Sequence, residues 1–134
     1  MISILAFVLV AFVTVSIKGL TNNVDYDAIE SLYMSTNGPD WEYRVGSIPW
    51  NFTGGYSEQN PCGDSWDGIT CSDTPTACLA QSIICTITSL NLTNHALSGN
   101  LPFGLGALTN ISTLALGTNS IIGTLPLNTV AMST

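Results

Sequence analysis

Apolar residues in the C-terminal half of the chain follow a pattern that repeats after 24 residues. Five apolar positions between residues 87 and 101 recur between residues 111 and 125, and a glycine and a proline recur with them. Such a period predicts stacked structural units, because each coil can bury its apolar face only against the next coil. The matching pairs are Ile87/Ile111, Leu90/Leu114, Leu92/Leu116, Leu97/Ile121, Gly99/Gly123, Leu101/Leu125 and Pro102/Pro126.

Each repeat is predicted to contain one short strand. The first repeat carries Leu90-x-Leu92, and the same pattern stands one period later. This alternation places both leucines on one face of a strand, turned toward the interior. Asn119 follows the second strand by three residues, where its side-chain amide can bond unpaired backbone groups of a turn. The two repeats are expected to span residues 87–110 and 111–134.

A helix and an aromatic cluster are predicted ahead of the repeats. Residues 25–34 carry apolar side chains at helical spacing and acidic residues near the start, which favours a helix. The sequence Asn37-Gly38-Pro39 is expected to end it. Three tryptophans follow in an irregular stretch, and we expect them to form a small aromatic core tied by disulfides. They are Trp41, Trp50 and Trp66.

The chain contains four cysteines, and an even number in a short chain with an apolar leader predicts two disulfides. Three pairings are open. The sequential one, Cys62–Cys71 with Cys78–Cys85, closes two short loops and is the one we favour. Because the four cysteines include no C-x-x-C pair, their spacing disfavours a zinc site, and no metal is predicted.

Residues 1–19 are expected to be a secretory signal peptide. The stretch from Met1 to Ile17 is almost wholly apolar, but it is shorter than the roughly 20 residues that a membrane span needs. Small residues suited to cleavage follow, the last of them Gly19. The alternative is an uncleaved helix that anchors the chain in a membrane. If the leader is cleaved, no stable membrane insertion is expected.

The repeats resemble leucine-rich repeats of the plant-type subclass, whose consensus is LxxLxxLxLxxNxLxGxLP. The resemblance runs from Ile87 to Pro126 and departs at His95, which stands where the consensus has asparagine. His95 is the single histidine of the chain. We expect its ring N–H to replace the hydrogen bond of that asparagine, in place of a catalytic or metal-binding role. The family implies an α/β repeat solenoid, a short right-handed curved stack of coils.

The segment ahead of the repeats resembles the N-terminal cap of secreted leucine-rich repeat proteins. The specific part of this resemblance is Pro61-Cys62-x3-Trp66-x-Gly68-Ile69-Thr70-Cys71. It implies a small helical, disulfide-tied cap over residues 20–73, which covers the open apolar end of the first coil. Residues 74–86, which carry Cys78 and Cys85, are interpreted as an inserted disulfide loop between the cap and the first repeat.

Charge is scarce and confined to the N-terminal part of the chain. The 134 residues include nine Asp and Glu but only two cationic side chains, Lys18 and Arg44, and no charged residue follows Asp73. A net charge of −7 argues against a nucleic-acid partner, since phosphate binding needs clustered cations. No catalytic, dinucleotide-binding or phosphate-binding motif is present, so we expect neither enzyme activity nor a cofactor.

The residues that alternate with the buried leucines are the predicted ligand-binding positions. In leucine-rich repeats they face the concave side of the sheet, and in this chain all of them are small or uncharged. They are Ser89, Asn91, Thr93, Thr113, Ala115 and Gly117. Three N-x-S/T sequons further predict glycosylation at Asn51, Asn91 and Asn110.

The resemblance implies a non-catalytic extracellular recognition module, secreted or at the cell surface, that binds a protein, a peptide or a glycan. The alternative is a structural cell-wall or matrix protein, or one that self-associates through an open C-terminal repeat. About three repeats are normally needed for a stable stack, and two are present. We therefore interpret the chain as a piece of a longer receptor-like or secreted protein, with a miniature held by its disulfide cap as the alternative.

Overall fold

The computed structural model describes residues 20–80 and 83–125. The predicted signal peptide and the end of the second repeat, with Pro126, lie outside the described residues. Short 3-10 helices cover Gly38–Asp40 and Phe103–Ala107. The remaining elements, in chain order, are β1 (Leu20–Thr21), α1 (Asn23–Ser35), β2 (Ile69–Cys71), α2 (Pro75–Leu79), β3 (Ile84–Cys85), β4 (Ile87–Asn91), β5 (Ser98–Asn100), β6 (Thr113–Ala115) and β7 (Ser120–Ile122).

A three-stranded sheet in the order β2-β4-β6 joins both repeats to the segment of residues 20–73, for which the name cap is kept as a label. Strands β4 and β6 are parallel and pair Ser89 with Thr113, so equivalent residues of the two repeats lie side by side. Strand β2 adds to β4 in the antiparallel direction and comes from the cap. Leu90 and Leu92 are fully buried while Asn91 between them is exposed, which confirms the predicted alternation.

The opposite side of the coils is formed by the parallel pair β5–β7 and by the 3-10 helix Phe103–Ala107, against which α1 packs. Gly99 in β5 has φ +102°, and a Cβ there would lie 2.5 Å from the carbonyl oxygen of Ser35 at the end of α1. Only glycine fits this close approach. The recurring glycine of the repeat therefore also allows the cap helix to dock.

Helix α1 extends slightly beyond its predicted bounds. Asn22 caps its first turn by accepting a hydrogen bond from the Val24 N–H at 2.9 Å. Asn37, in the left-handed conformation with φ 60°, follows the last turn at the place where the sequence predicts the helix to end. The side chains that α1 buries include Ile29 and Leu32, which belong to the single core shared by cap and repeats.

The three tryptophans are buried in the cap and contact one another, as the sequence predicts. The ring centroids of Trp41 and Trp50 lie 4.9 Å apart in an edge-to-face arrangement, and those of Trp50 and Trp66 lie 6.1 Å apart. The indole N–H groups donate to backbone oxygens, Trp41 to Thr36 at 2.9 Å and Trp50 to Asp67 at 2.7 Å. These hydrogen bonds hold the tryptophan-containing segment in place, although it has little regular secondary structure.

The cysteines pair sequentially, Cys62 with Cys71 and Cys78 with Cys85, which is the pairing that their spacing favours. The segment with the second disulfide contains α2 and β3, whereas the sequence was interpreted as a loop. Thr74 and a following proline begin α2, since the Thr74 hydroxyl accepts from the Ala77 N–H. Strand β3 pairs with β1, which attaches the segment to the start of the described chain.

Candidate binding surface

The six predicted ligand-binding residues lie together on the solvent side of the β4–β6 pair and the turns that follow, which we call the sheet face. Ser89 is beside Thr113 and Asn91 is beside Ala115 in the strand register. A Cβ built on Gly117 would lie 3.9 Å from the Thr93 side chain, so this third pair is also adjacent. The structure therefore brings all six positions into one continuous surface, and their role in ligand binding stays a prediction.

The sheet face carries hydroxyl and amide groups and no charge. Asn91, Thr93 and Thr113 are exposed, and Thr70 of β2 continues the row because it pairs with Ser89. The side-chain oxygen of Asn91 accepts from the Thr93 N–H at 3.3 Å, which leaves its NH₂ group directed to other partners. Such a surface offers hydrogen bonds of both kinds to a polar ligand but little electrostatic attraction.

Arg44 borders the sheet face on the cap side, and the sequence analysis did not assign it to the site. Its Nη2 donates to the Asn91 backbone oxygen at 2.8 Å, just where the pairing with β2 ends. Its Nη1 lies 2.8 Å from Oδ1 of Asp67. The Arg44 side chain is 46% exposed, and it is the one cationic Lys or Arg side chain in the described part of the chain.

Asp67 holds Arg44 in place and is almost fully buried. Its Oδ1 accepts from the Arg44 guanidinium, and its Oδ2 accepts from the Arg44 backbone N–H at 2.9 Å. Burial raises the pKa of Asp67, but the hydrogen bonds from the Arg44 N–H and from His95, together with the Arg44 charge, outweigh it. The pKa of this carboxyl is therefore held below its usual range.

His95 joins the same carboxylate from the first coil and is completely buried. Its Nδ1 donates to the Thr93 carbonyl oxygen at 2.8 Å, the counterpart of the bond from Asn119 Nδ2 to the Gly117 oxygen. The ring N–H thus replaces the asparagine, as predicted. Its Nε2 lies 3.1 Å from Oδ2 of Asp67, so both ring nitrogens face oxygen acceptors.

The link between Arg44, Asp67 and His95 could not be read from spacing, because its members come from separate segments of the chain. The one indication in the sequence is that arginine and histidine each occur only once in the chain. Residues 20–80 and 83–125 hold no group of three His, Cys, Asp or Glu side chains that could bind a metal ion. The link is thus a contact between cap and repeats, next to the sheet face.

The three sequon asparagines are exposed. At Asn51 the side-chain oxygen accepts from the N–H of Thr53 at 2.9 Å and also from its hydroxyl. At Asn110 the hydroxyl of the sequon serine, Ser112, donates instead to the Thr88 oxygen at 3.0 Å. Glycosylation at Asn51, Asn91 and Asn110 stays a prediction.

The parallel strand pairs, stacked coils and asparagine side chain bonded to turn backbone define a leucine-rich repeat fold, and comparison with solved structures agrees. The leucine-rich repeat ectodomain of the receptor kinase SOBIR1 from Arabidopsis thaliana matches with a TM-score of 0.53 and 19% identity, over 81% of this chain and 48% of that one. A leucine-rich repeat protein from Bacteroides eggerthii matches with a TM-score of 0.51 and 24% identity, over 71% of this chain and 13% of the other.

Sequence comparison finds plant relatives. The chain is 31% identical over 123 residues to Protein STRUBBELIG-RECEPTOR FAMILY 1 of Arabidopsis thaliana. The aligned region covers 91% of this chain and 13% of that protein. It is 29% identical over 87 residues to Leucine-rich repeat extensin-like protein 2 of the same plant, over 65% of this chain and 10% of the other. No family model matches. The chain thus spans 13% or less of the length of these two relatives.

Proposed function

We propose that this chain is an extracellular, non-catalytic recognition module that binds a polar, uncharged segment of a protein, peptide or glycan through the sheet face. In this proposal it belongs to the plant-type subclass of leucine-rich repeats with an N-terminal cap. The cap covers residues 20–73, the segment 74–86 adds the second disulfide, and the repeats follow from residue 87. The leader would direct secretion, and glycans would be carried on Asn51 and Asn110, since a glycan on Asn91 would cover part of the sheet face.

The observation that supports this function is the continuity of the sheet face across cap and repeats. Thr70, Ser89 and Thr113 form one row across three strands, with hydroxyl groups on adjacent strands. The strands are about 4.8 Å apart, a spacing that suits a chain of repeated hydroxyl or amide groups lying across them. Arg44 borders this surface but is already paired with Asp67, so it adds hydrogen bonds without strong charge selection.

The two disulfides and the relatives support the extracellular location in this proposal. Two disulfides fit an oxidising compartment outside the cytosol. Within the described ranges, no helix is long and apolar enough to cross a membrane. Relatives described as receptor-family and extensin-like proteins support a surface or wall setting for this chain as well.

Binding to panels of neutral oligosaccharides and of uncharged synthetic peptides tests the proposal. We expect saturable binding to members of one panel. Because few charges are involved, the affinity should change little between about 50 and 200 mM salt. Thr93→Arg and Thr113→Arg should each lower the affinity about tenfold or more, since each places a long cation on the sheet face.

The matched control is Thr124→Arg, because Thr124 is exposed but lies outside the β2–β4–β6 sheet. It should leave binding unchanged. Equal losses in all three variants, or binding that none of them alters, would refute a site on the sheet face. If neither panel binds and the molecular mass in light scattering rises with concentration, the structural or self-assembling alternative replaces the proposal.

A further inference from the structure

A cleft of about 650 Å³ opens in the cap, away from the strands of the sheet face. Its lining combines apolar and polar residues: Ile48 and Pro49 are here called the apolar wall, and Gln59 and Asp64 the polar wall. The lining residues are Ile48, Pro49, Asn51, Gln59, Asp64 and Trp66.

The apolar wall is held rigidly but left partly open to solvent. Ile48 pairs with Trp66 in an isolated parallel bridge, and its carbonyl oxygen accepts from the Asp67 N–H at 2.8 Å. Nevertheless, 48% of Ile48 is exposed, and the adjacent Pro49 is exposed as well. An apolar wall fixed by the backbone and uncovered by the described chain favours an occupant with an apolar face.

The polar wall contains side-chain oxygens that can accept further hydrogen bonds. Asp64 uses Oδ2 to accept from the Asn60 N–H, and Gln59 uses its NH₂ group to donate to the Thr53 oxygen. Within residues 20–80 and 83–125, the other side-chain oxygens of Asp64 and Gln59 make no hydrogen bond. Both are acceptors, so the occupant they suit carries hydroxyl or amide N–H donors.

Asn51, a sequon asparagine, itself lines this cleft. Its oxygen is occupied by the N–H and hydroxyl of Thr53, while its Nδ2 has no partner in the described part of the chain. Nδ2 is the atom to which an N-linked sugar is attached. A sugar placed there is tethered at the rim of a cleft that has one apolar wall and one wall of acceptors.

We propose that the cleft seats the first N-acetylglucosamine of a glycan on Asn51. The C–H face and N-acetyl methyl group of the sugar cover Ile48 and Pro49, and its hydroxyl and amide N–H groups donate to Asp64 and Gln59. The glycan then acts as a covalently attached part of the cap and stabilises it. This inference rests on the secreted location in the proposed function, but it does not involve ligand binding at the sheet face.

The test uses the chain secreted from a eukaryotic host behind the host's own leader, with occupancy of Asn51 checked by mass spectrometry. Trimming the glycan to a single N-acetylglucosamine should leave Tm unchanged. Asn51→Gln should lower the Tm of the glycosylated protein by about 4 °C more than it lowers the Tm of the unglycosylated protein, the scale of a contact of this size in a small domain. This difference excludes the loss of the hydrogen bonds that Thr53 donates to Asn51. Asn110→Gln removes another sequon and serves as the matched control, with no comparable change.

A second variant separates seating in the cleft from a general effect of glycosylation. Ile48→Ser keeps the sequon but removes the apolar wall, so the Tm difference between glycosylated and unglycosylated protein should shrink by half or more. In the NMR spectrum of the trimmed protein, the N-acetyl methyl protons should show NOEs to Ile48. An unoccupied Asn51, equal Tm values with and without the sugar, or the lack of those NOEs would overturn the inference, whatever the ligand panels give.

Discussion

The two repeats differ at the equivalent positions 95 and 119. Asn119 binds the coil before it: its oxygen accepts from the N–H groups of His95 and Leu97, at 3.1 and 3.0 Å, and its NH₂ donates to Leu92 at 2.7 Å. The first coil has no coil before it. His95 instead reaches the cap, where its Nε2 meets Asp67.

The repeat pattern changes at the coil where the stack begins. An asparagine amide can form hydrogen bonds with the backbone groups of a neighbouring turn, because each coil presents the same backbone groups to the next coil. The cap presents a carboxylate instead, and the longer imidazole ring carries a second nitrogen that reaches it. The departure from the repeat consensus at His95 is thus an adaptation to a different neighbour.

Asp67→Ala should have the largest effect, because it breaks the contact that distinguishes the first coil. The change leaves the buried His95 ring and the Arg44 N–H without their acceptor. We expect a loss of about 3–5 kcal/mol in the free energy of unfolding, since two donors at the buried carboxylate, each worth about 1–3 kcal/mol when left unsatisfied, lose their acceptor together with the Arg44 guanidinium. Urea unfolding measures it, and Glu42→Ala, which removes an exposed acidic side chain, should cost about 0.5 kcal/mol or less. Equal losses in the two variants would contradict a special role for Asp67.

Asn119→Ala tests the second coil in the same way and should cost about 2–3 kcal/mol. The alanine leaves the N–H groups of His95 and Leu97 without their acceptor in a partly buried turn. Asn100→Ala is the matched control, because Asn100 is exposed on β5 and should cost about 0.5 kcal/mol or less. A cost for Asn119→Ala no greater than for the control would show that the coils stack without this asparagine.

His95→Asn makes the first coil like the second and should cost about 1–2 kcal/mol. The asparagine can keep the bond to the Thr93 oxygen, but it is too short to reach Asp67 as well. If the loss lies in the contact with Asp67, it should largely disappear when His95→Asn is made in the Asp67→Ala background. Additive losses in the double variant, measured by urea unfolding, would argue that the two residues act independently.

The stability of the contact between the cap and the first coil should also depend on pH, because two carboxylates of the cap accept hydrogen bonds from this coil. Asp67 bonds to His95, and Asp25 accepts from the Ile87 N–H at 2.7 Å. Burial raises the pKa of Asp25, and the bond from Ile87 lowers it only in part, so the net shift is opposite to that of Asp67. The contribution of Asp67 is present above the unfolded pKa of about 3.9 and is lost as the pH falls through its folded pKa.

The contribution of Asp25 is present below that unfolded pKa and is lost as the pH rises through its folded pKa. Thermal unfolding between pH 3 and pH 7 should therefore give opposite trends. Relative to the wild type, Asp25→Asn gains stability as the pH rises, because asparagine keeps an acceptor for Ile87 without the buried charge. Asp67→Asn loses stability over the same range. Parallel trends in both variants would contradict the assigned shifts.

Much of the fold was predictable because it depends on local or periodic features. The inward leucines of β4, the helix α1, the tryptophan cluster and the turn role of Asn119 all follow from patterns within a few residues or one repeat. The bond from His95 to the Thr93 oxygen was predictable for the same reason, since it spans two residues. The short helix and strand of the segment 74–86 were missed, because strand β3 forms by pairing with the distant β1.

The repeat, its period and the uncharged residues of the sheet face can all be predicted from the amino-acid pattern, because a solenoid maps each repeat position to a fixed place. The residues that join the cap to the first coil are seen only in the folded structure. Arg44 and Asp67 are 23 residues apart, and Asp67 and His95 are 28 apart. No local pattern encodes such contacts, since they depend on how an irregular cap packs against the open end of the first coil.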